Sequence, residues 1–260
     1  MKKEIKTWDE IFEGVDVSID DLRGGGFAFP SPLSQLFERY FYSQKFFTEK
    51  VLPGVTGKRV LCIGGGIDNV GLFLAIHGNA VLSVDISQNA VDKTNLLVRQ
   101  ANMCERMKAV RLDWENDALG GEFDVIVTPW SLHHMALKMS LDRIHDTLCK
   151  GGEYMAIEPV CLSKTLTRMH ELFPLQLDPL IPIGMERHLS AEDLEAIENR
   201  FNRVEVHFFE MFTRYSVSFF LFRLGLRRTV TSIGKMEHAL LEKLPFLRVL
   251  ASNMVIIASK

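Results

Sequence analysis

No block of like charge appears in this chain of 260 residues, whose formal net charge is only -3. A protein whose main partner is nucleic acid needs a basic stripe, and Arg223, Arg227 and Arg228 make too short a patch to supply one. No run of about 18 apolar residues exists, so no spanning helix is expected. The nearest segment, YSVSFFLFRLGL over 215–226, is short and runs into arginines. Its bulk suits closure over a ligand better than stable membrane insertion. The four cysteines, Cys62, Cys104, Cys149 and Cys161, form no CxxC pair, which fits a reduced, cytoplasmic protein with Cys62 as a buried thiol. The opening MKKEIKTWDEIFEG carries acidic residues and no apolar segment, so a signal peptide is not expected. No internal repeat is visible. No tight His/Asp spacing supports a metal, and none is expected.

What is present is enough for a sizeable core: 47% of residues are hydrophobic and 18 are phenylalanine. From residue 58 the chain alternates short apolar runs with helical periodicity. Strands are predicted at 59–64, 80–84, 107–112, 123–128, 153–160, 204–211 and 252–259. Helices are predicted at 68–77, 88–102, 138–149, 190–200 (behind a capping box, SAED) and 231–244. Upstream, a helix with a broad apolar face, including Phe41, begins near Ser31 and Pro32 and ends at Pro53 and Gly54. This alternation predicts an α/β fold, a mostly parallel sheet with helices on both faces, whose ligands sit beyond the carboxyl ends of the strands. The Pro-rich stretch 160–188 breaks the rhythm.

The chemistry concentrates at RVLCIGGGIDNVGLFLA, residues 59–75. A strand, three glycines and a helix start make a nucleotide cradle, because bare N–H groups without a Cβ admit a ligand closely. A phosphate-gripping loop needs Gly-Lys-Ser/Thr, but Gly66 is followed by Ile67 and Asp68. A dinucleotide fingerprint counted from Gly64 fails at its third glycine, where Asn69 stands. Asp85, after the second strand, suits any ribose-containing ligand.

Later positions add to this. Gly64–Gly66, Asp85, LDW with Asp113 and Trp114, FDVIVTPWSLHH and CKGGEYMAIEP follow one another in an order and spacing that resembles the class I S-adenosylmethionine-dependent methyltransferases, especially the small-molecule group called type 11. The resemblance is best over 57–160. It implies a Rossmann-like fold with a mostly parallel seven-stranded sheet and a helical or loop substrate cap. It also implies S-adenosylmethionine as cofactor, with Gly64, Gly65 and Gly66 under its methionine part, Asp85 on the ribose hydroxyls, Ile86 against the adenine, Asp113 on the adenine amino group and Trp114 beside the ring. Asp68 stands where the family has glycine; it either caps the following helix or pairs with the cofactor's ammonium group.

The implied division is a helical cap at 1–56, the cofactor core at 57–160, a substrate-cap insertion at 161–189, and the rest of the core at 190–260 with a second insertion near 212–248. Each named residue also has a plainer role available. Asp85 and Asp113 suit turns, and Trp114 and Trp130 suit a core. His133, His134 and Glu158 are candidates for proton transfer, with capping as the alternative. Trp130, His170, Phe173 and Phe41 are candidates for the substrate wall. The implied reaction is methyl transfer to oxygen, nitrogen or carbon of a mostly hydrophobic small molecule, by a monomer or homodimer. A cofactor-binding pseudoenzyme, a non-methylating enzyme on the same fold and, more remotely, an NAD-dependent oxidoreductase are the rivals.

Overall fold

Alternating apolar residues in short strands put one set of side chains on each face of a sheet. The computed structural model describes residues 2–13, 41–172, 187–213, 221 and 224–260. Its strands are β1 (Arg59–Ile63), β2 (Ala80–Asp85), β3 (Met107–Arg111), β4 (Phe123–Pro129), β5 (Leu148–Pro159), β6 (Arg203–Phe209) and β7 (Asn253–Ser259). They form one sheet in the order β3-β2-β1-β4-β5-β7-β6. All pairs from β3 to β5 are parallel, while β7 runs antiparallel to both β5 and β6. Val60, Cys62, Val125, Val127, Met155 and Ile157 join the core on one face. Leu61, Ile63, Ile126, Tyr154 and Ala156 join the core on the other. The predicted seven-stranded, mostly parallel sheet is therefore present, and Cys62 is buried within β1 as expected.

The helices are α1 (Lys2–Glu13), α2 (Tyr42–Phe46), α3 (Asn69–Ile76), α4 (Gln88–Gln100), α5 (Leu137–Thr147), α6 (Lys164–Leu172), α7 (Ala191–Arg200) and α8 (Arg227–Lys243). Ser87 caps α4 through Ala90 N–H. Ser190 and Asp193 form the predicted capping box of α7. After α2 the chain tightens through a π-helical turn, Phe47–Val51, and a 3-10 turn, Leu52–Gly54, which carries the expected stop at Pro53 and Gly54. The start of that predicted helix near Ser31 lies outside the described residues. Among the described residues no helix is long and apolar enough to cross a membrane.

Two expectations change. The strand predicted to start at residue 153 starts at Leu148, which pairs with Phe123. From Phe123 to Val125 the register advances by two residues on β4, while on β5 it runs from Leu148 to Glu153. The KGG segment is thus a bulge inside β5, and Gly151 at φ +75° makes it possible. The segment near 212–248 was expected as substrate cover. Its described helix, α8, instead packs along β6 and against α2, as a helix flanking the sheet.

Candidate active site

The strand order reverses direction between β1 and β4, with β2 and β3 on one side and β5 on the other. At such a switch point the loops leave a crevice beyond the strands' carboxyl ends. Three turns meet there: Gly64–Gly66 after β1, Asp85–Ser87 after β2, and Trp130–His134 after β4.

The glycine turn is shaped by its neighbours. Gly64 (φ +67°) and Gly66 (φ +58°) adopt the left-handed conformation. Gly64 N–H reaches the Val84 carbonyl at 2.8 Å. A Cβ on Gly64 would lie 2.7 Å from Ser131 Cβ, so the third turn packs directly on the first. Ser131 Oγ also donates to the Ile63 carbonyl at 2.6 Å. Gly64→Ala should therefore destabilise the fold by about 2 kcal/mol or more, from the left-handed penalty and the collision, lowering the Tm by roughly 4–8 °C for a domain of this size. A thermal melt checks this; an unchanged midpoint would mean that Ser131 is not seated there.

Asp85 joins the first two turns. Its Oδ2 accepts Gly66 N–H and its Oδ1 accepts Ser87 N–H, each at 2.9 Å. Burial pushes its pKa up to about 6, although the Ser87 and Gly66 N–H groups pull it down. A carboxylate has about four acceptor positions, and the Ser87, Gly66 and Ile86 N–H groups take three of them, which leaves capacity for a hydroxyl group. Ile86 is half-buried beside it.

Asp68, the departure from the family pattern, resolves as a cap. Its Oδ1 accepts Gly71 N–H at 2.7 Å at the start of α3. The carboxylate is buried beneath the turn, beside Cys62 and Ser83. It lies directly under the turn, 2.9 Å from where a Cβ on Gly65 would be. Gly71 follows from it: a Cβ there would lie 2.4 Å from Asp68 Oδ2.

The third turn rests on Glu158. This residue, a candidate for proton transfer, is completely buried at the end of β5. Its Oε1 accepts Ser131 N–H (3.1 Å) and Leu132 N–H (2.8 Å). Its Oε2 accepts His133 N–H (3.4 Å) and lies 2.6 Å from His133 Nδ1. Burial pushes its pKa up to about 8 against these bonds. Glu158 is thus a positioning residue, not one that meets substrate. His133 is buried on it, and His134 is half-buried with its ring 4.0 Å from that of His133.

The other predicted residues divide. Trp130 is half-buried with φ +57°, and its N–H bonds the Ile157 carbonyl. Asp113 turns its carboxylate to its own loop, accepting Glu115 N–H and Asn116 Nδ2–H. Trp114 is buried in the core, its ring 4.3 Å from the Arg143 guanidinium carbon. Those placements favour the turn and core roles over adenine contacts. Phe41 is buried just before α2, and that helix is tied to β6 by Ser43 N–H on Glu210 Oε1. His170 lies on α6 without a described side chain, and Phe173 lies outside the described residues.

Sequence reasoning missed α1 as part of the site. The Phe12 ring sits 2.6 Å from where a Cβ on Gly66 would be. Asp9 Oδ1 accepts from Ser87 Oγ at 2.6 Å and from Asn89 N–H. Trp8 meets the His134 ring edge-on at 5.2 Å. One helix therefore crosses all three turns. The signal for it is the WDEIFE segment, which reads in the sequence only as part of a helical cap over 1–56.

No curated protein sequence matches this chain. Residues 61–156 match a family model described as a methyltransferase domain. Over that stretch, from β1 into β5, the chain is similar to this family. Solved structures agree on the fold. Geranyl diphosphate C-methyltransferase from Streptomyces coelicolor A3(2), in complex with Mg2+, geranyl diphosphate and S-adenosyl-L-homocysteine, is 15% identical with a TM-score of 0.56, over 84% of this chain and 79% of that one. YcgJ from Bacillus subtilis is 13% identical with a TM-score of 0.58, over 84% and 97%. A phosphoethanolamine N-methyltransferase from Haemonchus contortus is 16% identical with a TM-score of 0.57, over 97% and 60%. Methyltransferases of this class take the methyl group from S-adenosylmethionine, and the cradle fits such a group. The glycine turn is tied to the Asp85 carboxylate through Gly66 N–H, and that carboxylate has acceptor capacity left.

Proposed function

We propose that the chain transfers a methyl group from S-adenosylmethionine to an oxygen, nitrogen or carbon atom of a mostly hydrophobic small-molecule metabolite. The observation that carries this reading is the tie between Asp85 and Gly66 N–H. It sets a ribose-binding carboxylate against a bare glycine turn at the switch point of the sheet. Gly64, Gly65 and Gly66 would hold the amino-acid end of the cofactor, and Asp85 and Ile86 its nucleoside end. The cofactor supplies an already activated methyl group, so what remains for the protein is positioning and exclusion of water.

Trp8, Phe12 and Trp130 would wall the cleft with apolar surface. His134, half-buried beside Trp8, is the residue best placed to take a proton from an acceptor, and His133 on Glu158 fixes its position from behind. A base of this kind is worth about 10²–10⁴-fold in rate. The segments 161–189 and 1–56 would complete the substrate cover, with the protein acting in the cytoplasm as a monomer or homodimer.

Calorimetric titration with S-adenosylmethionine, S-adenosylhomocysteine and NAD tests the reading. Saturable binding of the first two and none of NAD is the expected result. Binding of NAD alone would overturn it in favour of a dehydrogenase.

A further inference from the structure

On the far edge of the sheet, α8 and β6 bring three metal-ligating side chains together. One donor atom from each of His207, His238 and Glu242 lies within 4.8 Å of the others. His238 and Glu242 are one helical turn apart, so they share a face of α8. His207 comes from β6 beneath.

The imidazole nitrogens are already sorted for coordination. His238 Nδ1 lies 2.9 Å from the Phe208 carbonyl. A carbonyl only accepts, so Nδ1 carries the proton and the lone pair is on Nε2. His207 Nε2 lies 3.0 Å from Glu205 Oε1, and its Nδ1 lies 3.7 Å from Glu242 Oε1. A proton on Nε2 serves Glu205 and leaves the lone pair of Nδ1 on the Glu242 side. Each ring thus gives its N–H to a carbonyl or carboxylate, as metal-bound histidines do. Ring packing holds them: His238 stacks on Phe209 at 4.3 Å, and Phe46 lies 4.8 Å from His207.

We propose that His207, His238 and Glu242 form a site for one divalent cation of the zinc class, which ties α8 to β6. Two imidazoles and one carboxylate suit zinc, whereas calcium and magnesium prefer all-oxygen sets. Tetrahedral zinc with bonds of about 2.0–2.2 Å puts its donors about 3.3–3.6 Å apart, which small side-chain rotations achieve here. Glu242 is 38% exposed, so water completes the coordination. Arg248 Nη2, 3.8 Å from Glu242 Oε2, is the cation that the metal must share this carboxylate with. His207 also lines a cavity of about 410 Å³ with Phe46, Lys50, Glu153 and Ile257. The site is four strand spacings from β1, about 19 Å, so it is distinct from the methyltransferase cleft. The expectation of no metal rested on linear spacing, and these ligands lie on separate elements.

The untagged full chain, stripped with a chelator, is titrated with zinc chloride by calorimetry. One equivalent is expected to bind per chain, with a rise in Tm. Glu242→Gln and His238→Gln should each weaken binding at least tenfold, and the double variant His207→Gln/His238→Gln should lose the Tm response. Circular dichroism and unchanged S-adenosylmethionine affinity verify that the variants are folded. Should the histidine variants not fold, Glu242→Gln, at the exposed end of α8, decides alone. Binding that is substoichiometric, or equally tight in the folded variants, would overturn the proposal.

Discussion

Asp85→Ala lowers the affinity for S-adenosylmethionine by about a hundredfold or more. A hydrogen bond to a charged group is worth about 1.5–3 kcal/mol, and each 1.4 kcal/mol is tenfold. The substitution removes the acceptor for ribose hydroxyls. It also strands the N–H groups of Gly66 and Ser87, on which the two turns are set. Asp85→Asn keeps one acceptor oxygen and should lose about tenfold. The wild-type affinity should fall as the pH drops through about 6, because protonation takes an acceptor away; in Asp85→Asn that decline should vanish. Calorimetry across pH 5–8 reads both effects. An alanine variant with wild-type affinity would remove Asp85 from the site.

Glu158→Ala has the largest effect expected on stability, a loss of about 4 kcal/mol, since three backbone N–H groups and an imidazole lose their acceptor at about 1–3 kcal/mol each, partly recovered by entering water. The pH dependence identifies the carboxyl itself. Its folded pKa of about 8 stands above the ordinary value of 4.5, so the folded state binds more protons between the two. Its stabilising contribution is complete below about pH 4.5 and is lost as the pH rises through 8. Glu158→Gln, which keeps an acceptor for Ser131 and Leu132, should fold and show a flatter stability profile over that window. Urea titrations at several pH values measure it. Equal slopes in the two proteins would show that Glu158 is not the source.

The sheet was readable because each strand is a short apolar run bounded by glycine, proline or a capping residue, and local chemistry of that kind survives into the fold. The capping box at Ser190, the cap at Ser87 and the glycine turn at 64–66 all formed as their residues require. Two failures have a common cause. Glu158 reads as a polar residue at a strand end, where a cleft belongs. That it turns inward is decided by three N–H groups from a loop 25 to 27 residues away, which no local pattern contains. The KGG segment reads as a turn between helix and strand. It became a bulge because Leu148 found a partner in Phe123. Asp68 succeeded halfway: its capping role was legible from its place before a helix, but its burial depended on the packing of β1 and β2. The trio on β6 and α8 had no local signature at all.

The antiparallel placement of β7 between β5 and β6 has a consequence for the newly made chain. The sheet cannot be finished in the order in which it is synthesised. β6 emerges before β7, the strand it pairs with, and β5 waits with one side open. Until residues 253–259 arrive, both strands present bare backbone donors and acceptors flanked by valine, isoleucine and phenylalanine. Unpaired edges of that composition are where nascent chains associate with each other. The interval between translation of β6 and of β7 includes the 17 residues of α8, and both edges stay open throughout it.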